Sequence, residues 1–239
     1  MGEWRRRVNR LLRSRLWRSR GGTVWSGPFA GLPVSEDAVL CALLGTYELE
    51  IHPWFVDEIS RGFARVVVVG AADGYEVAGF LRCVPGADAV AFEADPDMQK
   101  RLSDMVTRSG LGTRVRVEGF ATAEALARAT ADVEGRVLVL IDVDGGEDTL
   151  TGVDAFAALE HATVIIETHD IFVPGIHAAV RGNLAASHLL EEVTSRPRTI
   201  ADLPSGAFPL LRHLIPGPLA HALDERRPGP QRWIRARPR

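Results

Sequence analysis

Val66-Val67-Val68-Val69-Gly70-Ala71-Ala72-Asp73-Gly74-Tyr75 runs four β-branched residues into a glycine turn, and the fold is read from it. A strand apolar at every position, rather than at every second one, is covered on both faces, as in a parallel sheet. Gly70 and Gly74 let the backbone turn tightly and approach a ligand, and Gly74 opens a helix. Upstream, Pro53 opens a helix through about Ser60. Ser35 followed by Glu36 and Asp37 marks a helix start running to about Leu44. Gly21 to Pro33, rich in Gly, Pro and small residues, reads as a linker. Downstream, strands are expected at Ala89–Phe92, Arg114–Val117, Val137–Ile141 and Thr163–Ile166. Helices are expected between them, near 96–109, 121–131 and 153–159. That alternation predicts a parallel α/β sheet with helices on both faces. After Asp170 the rhythm weakens: 175–188 reads as helix, 189–195 as strand, 209–223 as partly helical, and Arg232 to Ala236 as a last edge strand. The expected division is a helical region over 1–62 and an α/β domain over 63–239.

In an open parallel sheet, ligands bind beyond the carboxyl ends of the strands. The residues there are Gly70 to Gly74, then Glu93, then Phe120, then Asp142-Val143-Asp144, then Glu167-Thr168-His169-Asp170. Four of these five strand ends carry acids, which suits a ligand with hydroxyls or positive charge, or a metal. Glu93 follows the glycine turn by about 20 residues, where an acid hydrogen-bonds the hydroxyls of a ribose. Glycine turn plus spaced acid points to a nucleoside-containing cofactor. This leaves NAD and S-adenosylmethionine both open, although the turn lacks the third glycine that a pyrophosphate usually requires.

The run Val66 to Tyr75, with Ala91-Phe92-Glu93-Ala94-Asp95-Pro96, resembles motifs I and II of class I S-adenosylmethionine-dependent methyltransferases. Leu140-Ile-Asp-Val-Asp-Gly-Gly-Glu147 and Val164-Ile-Ile-Glu-Thr-His-Asp170 are most similar to the FkbM-like branch, whose members typically methylate hydroxyls of sugars and natural products. The resemblance covers roughly residues 63–170. It implies a Rossmann-like class I methyltransferase fold, a mostly parallel seven-stranded sheet with helices on both faces, carrying here an N-terminal helical extension. It implies that Gly70, Ala72 and Gly74 line the methionine end of the cofactor and that Glu93 holds the ribose. Ala94 would flank the adenine, with Phe120 and Ala121 in contact with it. Where many members carry an acid two residues before the first glycine, this chain has Val68. Asp73 or Asp142 then becomes the candidate partner for the methionine amino group.

Methyl transfer asks mainly for in-line alignment and exclusion of water. A hydroxyl acceptor must also lose a proton, so a base or a metal is needed within hydrogen-bond reach. Asp142, Asp144, Glu167, His169 and Asp170 are the candidates. His169 is favoured as base because its ordinary pKa lies nearest neutrality, with Asp142 beside it. Asp142, Asp144, His169 and Asp170 also form an oxygen-rich set suited to Mg²⁺ or a similar ion.

Composition bounds the alternatives. The 239 residues include two cysteines, Cys41 and Cys83, which excludes a disulfide scaffold. No apolar run approaches the roughly 20 residues needed to cross a membrane. The basic start is followed by no apolar stretch of signal-peptide type, so the expected setting is cytoplasmic. Acids exceed Lys plus Arg 31 to 28, but unevenly. Residues 1–20 hold eight Arg and one Glu, and residues 224–239 hold six Arg against two acids. An acidic body thus lies between two basic arms. Trp4, Val8, Leu11, Leu12 and Leu16 fall near one face of an amphipathic helix. We expect it to dock as a lid or a homodimer contact, with weak membrane-surface association through residues 1–20 as a lesser possibility. The expected partner is a small-molecule acceptor. One rival is an RNA methyltransferase using the Arg-rich arms, which the acidic body disfavours. Another is a non-catalytic module that keeps the cofactor fold.

Overall fold

A computed structural model of the chain describes the backbone of residues 2–225 and 227–239, and the side chains of residues 9–225 and 227–239. The chain divides into two compact units, residues 1–52 with 196–228, and residues 53–195 with 229–239. The first holds α1 (Gly2–Ser19) and α2 (Leu40–Leu44). In the second, α3 (His52–Arg61, all but its first residue) precedes β1 (Arg65–Val69), α4 (Tyr75–Cys83), β2 (Asp88–Phe92) and α5 (Pro96–Arg108). Next come β3 (Val115–Glu118), α6 (Ala123–Thr130), β4 (Val137–Ile141), α7 (Phe156–Leu159) and β5 (Thr163–Thr168). Then follow α8 (Ile176–Ala185) and β6 (His188–Thr194). The chain returns to the first unit for α9 (Leu211–Leu214) and α10 (Pro216–Ala222), and ends in the second with β7 (Arg232–Pro238).

The seven strands form one sheet in the order β3-β2-β1-β4-β5-β7-β6, and only β7 runs against the rest. The order reverses between β1 and β4, which pair in register from Arg65↔Val137 to Val69↔Ile141. A crevice therefore opens beyond Val69 and Ile141, the place where α/β sheets bind ligands. Every residue of β4 and β5 is buried. On one face Val137, Val139, Ile141, Val164 and Ile166 pack with Leu126, Leu159, Val180 and Leu184 from the covering helices. That explains the unbroken apolar runs, since neither face meets water. β7 is interior rather than the edge strand expected, with β6 outside it. Trp233, Ile234 and Ala236 of β7 are buried, and β6 is partly exposed along its length. Arg235 and Arg237 hold β7 to acids of the same unit. Arg235 bonds Asp57 (2.9 Å) and Glu191 (2.6 Å), and Arg237 bonds Glu58 (3.2 Å) and Asp57. These pairs set α3 with the sheet, whereas the expected division places it with the N-terminal region.

In the first unit, Leu12 and Leu16 of α1 are buried, while Leu11, the residue before Leu12, is 69% exposed. Trp4 and Val8 of the expected apolar face lie outside the described side chains. Gly21 to Pro33 is packed rather than a loose linker. Val24 N–H donates to Leu32 O (2.9 Å), Thr23 bridges Pro33, and Val24, Phe29 and Leu32 are buried. The helix expected from Ser35 begins only at Leu40, because Ser35 Oγ bonds Asp37 Oδ1 (2.5 Å) and holds a local turn. Arg198 bonds Glu50 (2.5 and 2.8 Å) and Glu225 (2.5 Å), and Arg227 bonds Glu225 (2.9 Å) and Glu48 (2.6 Å). This buried network ties residues 196–228 to the N-terminal segment, an association with no signature in local sequence.

Candidate functional site

The strand ends place two groups of residues in one crevice, and the glycine turn after β1 builds the first. Gly70 has φ +80°, and a Cβ there would lie 1.8 Å from the carbonyl oxygen of Asp142. Only glycine allows β1 and β4 to end this close together. Gly74, at φ +86°, precedes α4, and a Cβ there would lie 2.5 Å from Leu102 Cδ1. Ala72 between them takes φ +44°, a left-handed conformation rare for a residue with a side chain. Glu93, one residue past β2, holds that turn. Its Oε2 accepts from Ala72 N–H (2.7 Å) and its Oε1 from Asp95 N–H (2.8 Å). Each carboxylate oxygen keeps a further lone pair for a ligand hydroxyl.

A cavity of about 520 Å³ opens over this turn, a size in the range of small-ligand sites. Gly70 and Ala72 line it from β1, Glu93 and Ala94 from β2, Phe120 and Ala121 from β3, and Asp142 from β4. Asp73 and Gly74 do not. Val68, two residues before the first glycine of the turn, is buried within β1. Thr149 and Leu150, beyond β4, also line the cavity. Nothing in their sequence spacing marks them, because they reach it through an irregular loop.

The second group surrounds His169, at the end of β5 and only 4% exposed. Its Nδ1 hydrogen-bonds Oε1 of Glu147, a carboxylate with no exposed surface. Its Nε2 lies 3.5 Å from Asp142 Oδ1, 3.6 Å from Asp144 Oδ1 and 3.5 Å from Glu167 Oε1. Burial alone would lower the His169 pKa, but the Glu147 hydrogen bond and the charges of Asp142, Glu147 and Asp144 outweigh it, leaving the pKa raised. Single ligand atoms of Asp142, Glu167 and His169 all lie within 4.8 Å of one another. Two ligand atoms each about 2.1 Å from one ion lie about 3.0–3.4 Å apart, close to the distances around Nε2.

Asp170 is turned away from this cluster. Its Oδ1 accepts from Gly175 N–H (3.0 Å), and its Oδ2 lies 3.8 Å from Arg232. Asp142 and Asp144 join the two groups, because both line the cavity and both face His169. Ile171, Phe172 and Val173 form an exposed apolar rim, with the Phe172 ring stacked 5.8 Å from the His169 ring. Glu147 ends the Leu140–Glu147 run, but sequence reasoning assigns it no role. Its position five residues beyond Asp142 does not reveal that the loop folds back under His169.

No family model matches the sequence, and no curated protein matches it. Among solved structures it is similar to an O-methyltransferase from Streptomyces achromogenes involved in tomaymycin synthesis and solved with S-adenosylmethionine. That similarity has a TM-score of 0.52 at 10% identity, over 96% of this chain and 89% of that one. It is similar to a Bacillus cereus O-methyltransferase solved with S-adenosylhomocysteine, at TM-score 0.52 and 13% identity, over 95% and 91% of the two chains. A third is described as a putative O-methyltransferase of Klebsiella pneumoniae, at TM-score 0.51 and 13% identity, over 95% and 90%. Sheet order, the reversed β7 and these likenesses together show that the chain has the Rossmann-like fold of class I methyltransferases.

Proposed function

We propose that the protein is an S-adenosylmethionine-dependent methyltransferase acting on a hydroxyl of a small molecule. The observation that carries this reading is the Glu93 carboxylate. It is fixed by two backbone N–H groups at the mouth of a cavity of about 520 Å³, with acceptor capacity left for a ribose. Gly70 and Ala72 would border the methionine end, Ala94, Phe120 and Ala121 the adenine, and Asp142, which lines the cavity where Asp73 does not, would accept from the methionine amino group. When bound, the cofactor supplies an electrophilic methyl group on its sulfonium. The protein's own work is to align the acceptor and remove its proton. His169 Nε2 is the proton acceptor in this reading. Glu147 holds the ring by Nδ1, fixing the tautomer that leaves Nε2 free to take a proton. Phe172 offers an apolar surface beside it for the body of the acceptor.

A second reading of the same cluster is favoured by the spacing of Asp142, Glu167 and His169. These three would hold a divalent ion, with Asp144 close by, and the ion would lower the pKa of the acceptor hydroxyl. The mixed histidine and carboxylate donors suit Mn²⁺ as well as Mg²⁺. Kinship with the FkbM-like branch rests on the 140–147 and 164–170 runs. A cytoplasmic setting and a homodimer complete the proposal. Among the described residues no helix is long and apolar enough to cross a membrane.

Calorimetric titration with S-adenosylmethionine and S-adenosylhomocysteine, with and without Mg²⁺ or Mn²⁺, tests the reading. Micromolar binding is expected. No heat with either ligand under any condition would remove the methyltransferase assignment.

A further inference from the structure

The two basic arms have different fates. In β7, Arg235 and Arg237 are spent on Asp57, Glu58 and Glu191. In α1 and the residue after it, among the described residues, Arg10, Arg13, Arg15, Arg18 and Arg20 form no ion pair. Arg13 donates to Asp37 O (3.3 Å), Arg18 to Ser14 O (3.1 Å), and Arg20 lies over the Trp25 ring at 4.5 Å. None of these contacts neutralises charge. The Glu36 carboxylate beside this stretch accepts from Ser14 Oγ (3.2 Å) rather than from an arginine.

Arg10, Arg15 and Arg18 are exposed, and so is Leu11. Leu11, Arg15 and Arg18 follow one another at intervals of four and three, so they lie along one ridge of the helix. The ridge of Leu12 and Leu16 is already buried within the unit. Trp17 Nε1–H donates to Val34 O (2.9 Å) and fixes the helix in place. Among the described residues, the outward ridge therefore offers guanidinium groups around one large apolar side chain, Leu11.

We propose that this ridge of α1 docks on an anionic lipid surface. Each basic side chain near such a surface gains from its negative potential. Leu11 gains from the acyl boundary, whereas it would gain nothing from a nucleic-acid phosphate backbone, and this favours lipid over RNA. Because Leu12 and Leu16 are buried within the unit, the described part of the helix adsorbs by charge and Leu11 rather than inserting with its whole apolar face. The inference is independent of the methyltransferase reading.

Co-sedimentation of the full chain with phosphatidylcholine vesicles, with or without about one-quarter phosphatidylglycerol, at ~0.1 M salt, tests it. Binding to the anionic vesicles alone is expected. The triple variant R10Q/R15Q/R18Q should bind roughly a hundredfold more weakly, Leu11→Ser several-fold more weakly, and R10K/R15K/R18K nearly as well as the parent. Unchanged melting temperatures would show the variants folded, and if the glutamine variant fails to fold, the Leu11→Ser and lysine variants decide. Absence of binding, equal binding to both vesicle types, or binding untouched by the glutamine and serine changes would overturn the proposal. So would displacement of the protein from vesicles by an equimolar single-stranded RNA.

Discussion

The ends of β1 and β2 and the ends of β4 and β5 make two halves of one crevice by different means. In the first half the backbone does the work. Gly70, Ala72 and Gly74 take left-handed conformations, and the Glu93 carboxylate is oriented by main-chain N–H groups. In the second half side chains do the work. His169 is held by buried Glu147 and faced by Asp142, Asp144 and Glu167, drawn from the loop after β4 and the end of β5. A backbone-built half is suited to a ligand with a constant shape. A side-chain-built half can change its chemistry by single substitutions. On the proposed reading, the first holds the cofactor and the second the reacting hydroxyl.

That division can be broken by variants that should affect one half and spare the other. The largest effect is expected from His169→Ala. Turnover should fall by about 10²- to 10⁴-fold, with S-adenosylhomocysteine affinity in calorimetry unchanged; a parallel loss of affinity would merge the two halves. Chelation sharpens the result. If EDTA abolishes turnover and Mn²⁺ or Mg²⁺ restores it, the Asp142, Glu167 and His169 cluster acts through an ion; if EDTA has no effect, His169 acts as the base.

Gly70→Ala should damage both halves at once, because the new methyl group would meet the Asp142 carbonyl across the β1/β4 boundary. A loss of about 3 kcal/mol is expected in urea unfolding, and a native-like stability would show that the strand ends can move apart freely. Glu93→Ala should weaken cofactor binding about a hundredfold, the value of two hydrogen bonds to a charged acceptor. Once cofactor is saturating, its turnover should recover. The smallest effect is expected for Glu147→Gln. This change keeps an acceptor for the His169 ring but removes the charge behind it, and turnover should fall about tenfold. No change in rate would make Glu147 a packing residue only.

The half built by the backbone is largely legible in the sequence. Glycines at 70 and 74, and an acid about 20 residues on, are local features whose spacing fixes the geometry. The lining residues Phe120 and Asp142 follow from knowing where strands end, whereas Ala94 and Ala121 come from the resemblance to methyltransferase motifs. The other half is legible only as a set of residue types. By type alone, Asp170 is as suitable as Glu167 for the cluster. The hydrogen bond to Gly175 and the approach of Arg232, a residue of β7, turn it away. Glu147 does not stand out in the sequence, because its role depends on how the 142–150 loop folds.

The same contrast holds for the molecule at large. Apolar runs such as Val66–Val69 and Val137–Ile141, alternating with helical segments, determine by themselves a parallel sheet covered on both faces, since a strand apolar at every position has no face to turn to water. The placement of β7 inside the sheet, the packing of Gly21 to Pro33, and the joining of residues 196–228 to the N-terminal segment are decided by tertiary structure alone. Each depends on partners that local pattern does not pair: Arg235 with Asp57, Val24 with Leu32, and Arg198 with Glu50 and Glu225. Local pattern records what a segment must bury. It does not record which distant charge or strand will meet it.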